Sequence, residues 1–155
     1  MSIEDDIRFF AQVSTLALLG REPLRILAIG AESRYVHGGD ILFRTGESAD
    51  AAYVVQEGSF RLASEAQNAA GVTVGPGALI GEMALLTETK RPVTATACEP
   101  STVMRIPRTL FLKMLEGYPD AAGRLRDSLL ARTEQATRDM RKVRGKLGGT
   151  EGGAG

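Results

Sequence analysis

The chain has 155 residues, 43% of them apolar and 25% charged, and its 19 basic side chains balance its 19 acidic ones to a net charge of zero. That length supports one domain with a core of its own, and neutrality argues against nucleic acid as a partner. No apolar run reaches the roughly 18 residues that would span a bilayer, and a single cysteine, Cys98, with a single histidine, His37, leaves neither an intrachain disulfide nor a metal cluster.

The start, Met1-Ser2-Ile3-Glu4-Asp5-Asp6, is acidic and lacks the basic segment of a secretory signal, so a cytoplasmic setting is expected. Ile3, Ile7, Phe10 and Val13 recur at helical spacing and predict an amphipathic helix from 3 to about 12. Pro23 suits the first turn of a second helix carrying Leu24, Leu27 and Ala28. These helices make up a segment 1–32.

From Ser33 the punctuation changes to strands and turns. Gly38-Gly39, Thr45-Gly46, Glu57-Gly58 and Gly75-Pro76-Gly77 bracket short apolar runs at 41–43, 53–55, 60–62 and 72–74. Val93 to Cys98 and Thr102 to Ile106 follow, joined by a turn at Glu99-Pro100. Strands at this spacing predict an α+β fold: a jelly-roll-like β-roll of about eight strands over 33–106, flanked by N-terminal and C-terminal helices. Pro107 opens a further helix to about Glu116, with Leu110, Phe111, Met114 and Leu115 inward. A last helix is expected from about Pro119 to Lys146, closing a helical segment 107–147. Its apolar residues Leu125, Leu129, Ala136, Met140, Val143 and Leu147 form a ragged heptad seam, which suggests a homodimer. Its basic end is read as a solvated face that suits the helix dipole, and the Gly-rich tail 148–155 is expected to be disordered.

The stretch Val74 to Ala97 carries the chemistry. Gly81 gives a ligand room to approach the main chain, and Glu82-Met83-Ala84-Leu85-Leu86 reads as one helical turn with amides facing an anion. Glu82 suits sugar hydroxyls, and Arg91 offers a planar fork of donors for phosphate. Together they describe a nucleotide-sized site.

Gly81-Glu82-x-Ala84-Leu85-Leu86 followed by Arg91, with Gly75-Pro76-Gly77 ahead of it, resembles the phosphate-binding cassette (75–97 here) of the cyclic nucleotide-binding domain family, which includes catabolite activator protein and the regulatory subunits of protein kinase A. Gly46 and Gly58 match the family's turn glycines. The resemblance implies a regulatory module, not an enzyme, whose ligand is cAMP, with cGMP the lesser alternative. It implies Glu82 on the ribose 2′-hydroxyl, Arg91 with the amides around Met83 and Ala84 on the cyclic phosphate, and Val72 and Val74 beside the base. Signalling would pass to a protein effector by movement of the last helix, whose start, 123–130, is the candidate lid. Family members that bind DNA continue into a helix-turn-helix, for which no residues remain, so DNA binding is not expected.

Pro92 departs from the small, often hydroxyl-bearing residue usual in the family. Proline has no N–H to donate and drives Arg91 toward extended backbone, and the lost hydroxyl tilts preference from guanine to adenine. Thr94, two residues on, is a candidate substitute. The alternative reading is a degenerate member that docks or dimerises without nucleotide.

Overall fold

Ten strands and five helices are found among residues 2–64 and 71–131, the part of the chain that the computed structural model describes. Three helices come first: α1 (Ile3–Ala11), α2 (Ser14–Ala17) and α3 (Arg21–Gly30). Ser2 caps α1, its hydroxyl accepting from the Asp5 N–H while Asp5 accepts from the Ser2 N–H. Pro23 lies in the first turn of α3, where its missing donor costs nothing. The brief α2 was not expected, because four residues are too few to show a period.

The strands are β1 (Glu32–Val36), β2 (Ile41–Phe43), β3 (Ser48–Ala49), β4 (Ala51–Glu57), β5 (Phe60–Ala63), β6 (Val72–Val74), β7 (Leu79–Ile80), β8 (Thr89–Lys90), β9 (Thr94–Ala97) and β10 (Ser101–Pro107). They form two antiparallel four-stranded sheets, in the orders β1-β10-β4-β7 and β2-β9-β5-β6, with β3 and β8 as a separate ribbon. The fold is thus the α+β β-roll the sequence predicts. The count exceeds eight because β3, β7 and β8 are two residues each, too short for alternation to register.

Strand β4 shows how the core divides. Ala52 and Val54 face one apolar cluster, and Tyr53 and Val55 face another, the strict alternation of a strand buried on both sides. Its partner β10 does the same, with Met104 and Ile106 on one side and Val103 on the other. The first cluster lies under the helices and takes Ile7 and Phe10 from α1, Leu24 and Leu27 from α3, and Phe111 and Met114 from α4 (Arg108–Gly117). The second fills the space between the sheets with Val36, Phe43, Phe60, Ile80, Ala95 and Ala97. Among the described residues none of the helices is long and apolar enough to cross a membrane.

A fifth helix, α5, is described over 119–131. Leu125 is buried in the first cluster and Leu129 packs at its margin, so these two residues of the supposed dimer seam face the chain's own core. Ala136, Met140, Val143, Leu147 and the Gly-rich tail lie outside the described residues.

Candidate functional site

Gly81 closes β7 and caps a single 3₁₀ turn, Glu82–Leu85. Its backbone is left-handed (φ 77°), and a Cβ there would collide with Nη1 of Arg91, so glycine is required twice over. The turn is fastened from below: Ala84 and Leu85 are buried, and Leu85 joins the cluster under the helices. Arg108 fastens it from the side, Nη1 donating to the carbonyls of Ala84 (3.3 Å), Thr87 (3.1 Å) and Ala49 (2.9 Å). Met83 is left exposed, and Glu82 is half-buried with Thr15 Oγ1 3.4 Å from its Oε1.

Arg91 is 4% exposed. Its main chain is pinned to the turn that follows β2: Gly46 donates to its carbonyl and its own N–H donates to Glu47 O, both at 2.8 Å. This extended backbone is also what Pro92 favours in the residue before it. The guanidinium lies over Phe43 (4.2 Å from the ring centroid) and near Tyr53 (5.6 Å), and Nη2 donates to Ala51 O at 2.8 Å. Nη1 is buried without a hydrogen-bond partner. Burial holds Arg91 below the ordinary arginine value, while the charges of Asp50 and Glu47 act the other way; a guanidinium keeps its proton throughout the physiological range regardless.

The expected fork is therefore half occupied. One edge of Arg91 is committed to Ala51, and the other points at Gly81 with a donor to spare. A buried donor left without a partner costs about 1–3 kcal/mol, and an acceptor from outside would recover it. The cavity on this side holds about 430 Å³ and is bordered by Gly81, Glu82, Met83, Ala84, Lys90, Arg91 and Pro92, with Ala49 and Thr89. That volume is in the range of small-molecule sites. One carboxylate, two cations and an orphaned donor suit an anion that also carries hydroxyls, so the donor set fits a sugar phosphate.

Six of the eight expected residues thus border one cavity. Val72 and Val74 do not: Val72 is 64% exposed on the outer strand β6, and Val74 packs against the cluster between the sheets. Thr94 is buried, its hydroxyl 3.0 Å from that of Thr45 and accepting from the Thr45 N–H at 2.9 Å. It does not border the cavity. Sequence reasoning missed Thr15, Phe43, Tyr53 and Arg108, which reach the site from distant strands and helices. Lys90 alone had a local signal, as the neighbour of Arg91. A second cavity of about 450 Å³, which shares Ala49, Thr89 and Lys90 with the first, lies against Asp50, Glu88 and Arg108, but Arg91 borders only the first of the two.

A β-roll that seats a buried arginine against a glycine-led turn defines a ligand-binding regulatory domain. The sequence model described as the cyclic nucleotide-binding domain matches residues 33–118, and the chain belongs to that family. It is similar to a cyclic nucleotide-binding-like protein from Brucella abortus, at 40% identity over 72% of this chain and 98% of that one, with a TM-score of 0.64. It is also similar to the regulatory subunit of a cAMP-independent protein kinase A from Trypanosoma brucei, at 25% identity over 86% of this chain and 46% of that one, TM-score 0.69. Among curated proteins it is 32% identical over 117 residues to the lysophospholipase NTE1 of Pyricularia oryzae, which is 73% of this chain and 8% of that protein. This chain thus corresponds to less than a tenth of the length of the curated relatives it matches.

Proposed function

We propose that this domain senses a cyclic nucleotide, with cAMP preferred to cGMP, in a cytoplasmic setting. The observation that carries the reading is the buried Nη1 of Arg91, a donor without an acceptor that packs against Gly81, both residues bordering one cavity. A cyclic phosphate oxygen supplies that acceptor, with the Met83 amide beside the same anion; the Ala84 N–H expected there already donates to Gly81 O at 3.0 Å. Glu82 exchanges the Thr15 hydroxyl for the ribose 2′-hydroxyl. Pro92, exposed at the rim, offers no hydroxyl to guanine. Val72 and Val74 reach the base only if β6 moves toward the cavity.

The signal passes to a protein effector through α5, which shares the first core cluster with Leu85 of the 3₁₀ turn. A shift of α5 requires that the ligand bind its two positions unequally. A homodimer through this helix has to use residues other than Leu125 and Leu129, which pack within the chain.

The second reading, a docking domain without nucleotide, draws support from the two contacts already on the site, Thr15 on Glu82 and Ala51 on Arg91. Similarity to a regulatory subunit named as cAMP-independent is compatible with it. A thermal shift series with cAMP, cGMP, 5′-AMP and cyclic dinucleotides, confirmed by calorimetry, separates the two. At a free cAMP concentration about one hundred times Kd, the sensor gains roughly 2.7 kcal/mol. No shift with any of these at millimolar concentration leaves the docking reading. Equal shifts with 5′-AMP and cAMP mean a general phosphate site.

A further inference from the structure

We propose that Phe43 and Tyr53 are positioning residues for Arg91, holding its guanidinium so that only the Nη1 edge meets the ligand; this rests on the reading of the cavity as a phosphate site. The single bond from Nη2 to Ala51 O fixes one point of the group but leaves it free to swing about that point. Ring faces remove that freedom. Phe43 ends β2 in one sheet, Tyr53 lies within β4 of the other, and their centroids are 6.0 Å apart with planes inclined by 30°. The guanidinium carbon is 4.2 Å from the first centroid and 5.6 Å from the second.

Val36, Val55, Ile80, Ala95, Ala97 and Val103 are the aliphatic members of this cluster and Phe60 is a third ring, but only Phe43 and Tyr53 stand against the guanidinium. A cation 4% exposed has lost most of its water, and aromatic faces return part of that lost stabilisation through their negative quadrupole. Leucine at either place is apolar but smaller than the ring, and it returns none of that stabilisation. The arrangement also explains how a charge can wait in a half-apolar pocket before its anion arrives. Arg91 is held flat, with one edge satisfied and one edge aimed past Gly81.

The test uses Phe43→Leu and Tyr53→Leu, made separately so that a folding failure of one leaves the other, with Phe43→Tyr and Tyr53→Phe as variants that keep the ring face. Calorimetry with cAMP is expected to show roughly tenfold weaker binding in the leucine variants, the size of a desolvated cation–ring contact. The ring-keeping variants should stay within about twofold of the parent. In the ligand-free chain, nitrogen-15 spectra of the guanidinium should show resolved, ring-shifted Nη signals for Arg91 that average in Phe43→Leu. Equal cAMP affinity in all variants that fold overturns the proposal. If the parent binds no nucleotide, the sensor reading fails on its own and the spectra decide this one. Fixed, ring-shifted signals sustain the holding role, and averaged signals in the parent overturn it.

Discussion

Thr15 Oγ1 lies 3.4 Å from Glu82 Oε1, so a residue of the N-terminal helices already sits on the carboxylate that the 3₁₀ turn brings to the cavity. The two are 67 positions apart, and the contact couples α2 to the cavity. Any hydroxyl arriving at Glu82 competes with it. Thr15→Val keeps the shape of the side chain and removes the competitor. At 3.4 Å the bond is long, so its net worth is at the low end for a charged acceptor, about 1 kcal/mol. Affinity for cAMP by calorimetry should therefore rise by roughly threefold to fivefold, because the apo state loses a bond that the complex does not keep. Unchanged or weaker affinity would mean that Glu82 does not exchange partners.

Arg91 gives the opposite trade between stability and binding. Arg91→Met retains an unbranched stem between Phe43 and the cavity and abolishes the orphaned donor, at the loss of the bond to Ala51 O. These terms are each on the order of 1 kcal/mol with opposite sign. The urea midpoint of the free protein should shift little, while the cAMP-induced increase vanishes. Arg91→Ala also opens a void, so it should lower the free protein's stability by about 2 kcal/mol or more. A residue that served only packing would produce equal losses with and without ligand.

Much of this was open to reading in the sequence, and the part that was not has a physical cause. The turn glycines, the short apolar runs of β4 and β10 and the spacing from Gly81 to Arg91 are local, so composition and spacing reveal them. Burial of Arg91 is not local: Phe43 and Tyr53 reach it only because two sheets close on each other. The same applies to Leu125 and Leu129, whose spacing fits a partner helix equally well as the chain's own core. Thr94 shows the limit of strand parity, since its hydroxyl is spent on Thr45.

Arg124 tests the proposed lid. Its Nε donates to Leu18 O at 2.7 Å and its Nη2 to Leu19 O at 2.9 Å, tying α5 to the end of α2. Arg124→Gln shortens the reach and loses both bonds. The side chain is exposed, so global stability should fall by no more than about 1 kcal/mol. Amide hydrogen exchange over 119–131 should speed up, with α4 unaffected. Uniform acceleration in both helices would show that Arg124 supports the fold as a whole and does not latch one element.

The acid side of the stability curve follows from α1. The Ser2 N–H, and after it Arg8, hold the Asp5 carboxyl below its ordinary value, and the hydrogen bond from Arg21 does the same for Glu4. A carboxyl depressed in the folded state stabilises above its unfolded value and loses that contribution as pH falls through the folded one. The paired substitution Glu4→Gln and Asp5→Asn should therefore lower the urea midpoint at pH 7, and the gap to the parent should narrow below about pH 4. Both groups lie at the surface, so added salt should shrink the gap as well. A gap that widened toward acid would contradict the assignment.

On the cyclic-nucleotide reading, the proposed choice between bases rests on Pro92. Thr94 is buried and bound to Thr45, so the hydroxyl missing at the rim is not replaced from two residues away. Pro92→Ser restores a hydroxyl at an exposed position that borders the cavity, and frees an N–H there. One added hydrogen bond to a neutral group is worth about 0.5–1.5 kcal/mol, so cGMP affinity should rise by roughly twofold to tenfold while cAMP affinity changes less. Serine also relaxes the extended backbone that proline favours at Arg91, which two bonds to Gly46 and Glu47 hold in any case. Thr94→Val provides the control. It should lower stability, because the Thr45 N–H loses a buried acceptor, and leave the ratio of cAMP to cGMP affinity as it was. A changed ratio in Thr94→Val with none in Pro92→Ser would move base selection from the rim of the cavity to the β-roll wall behind it.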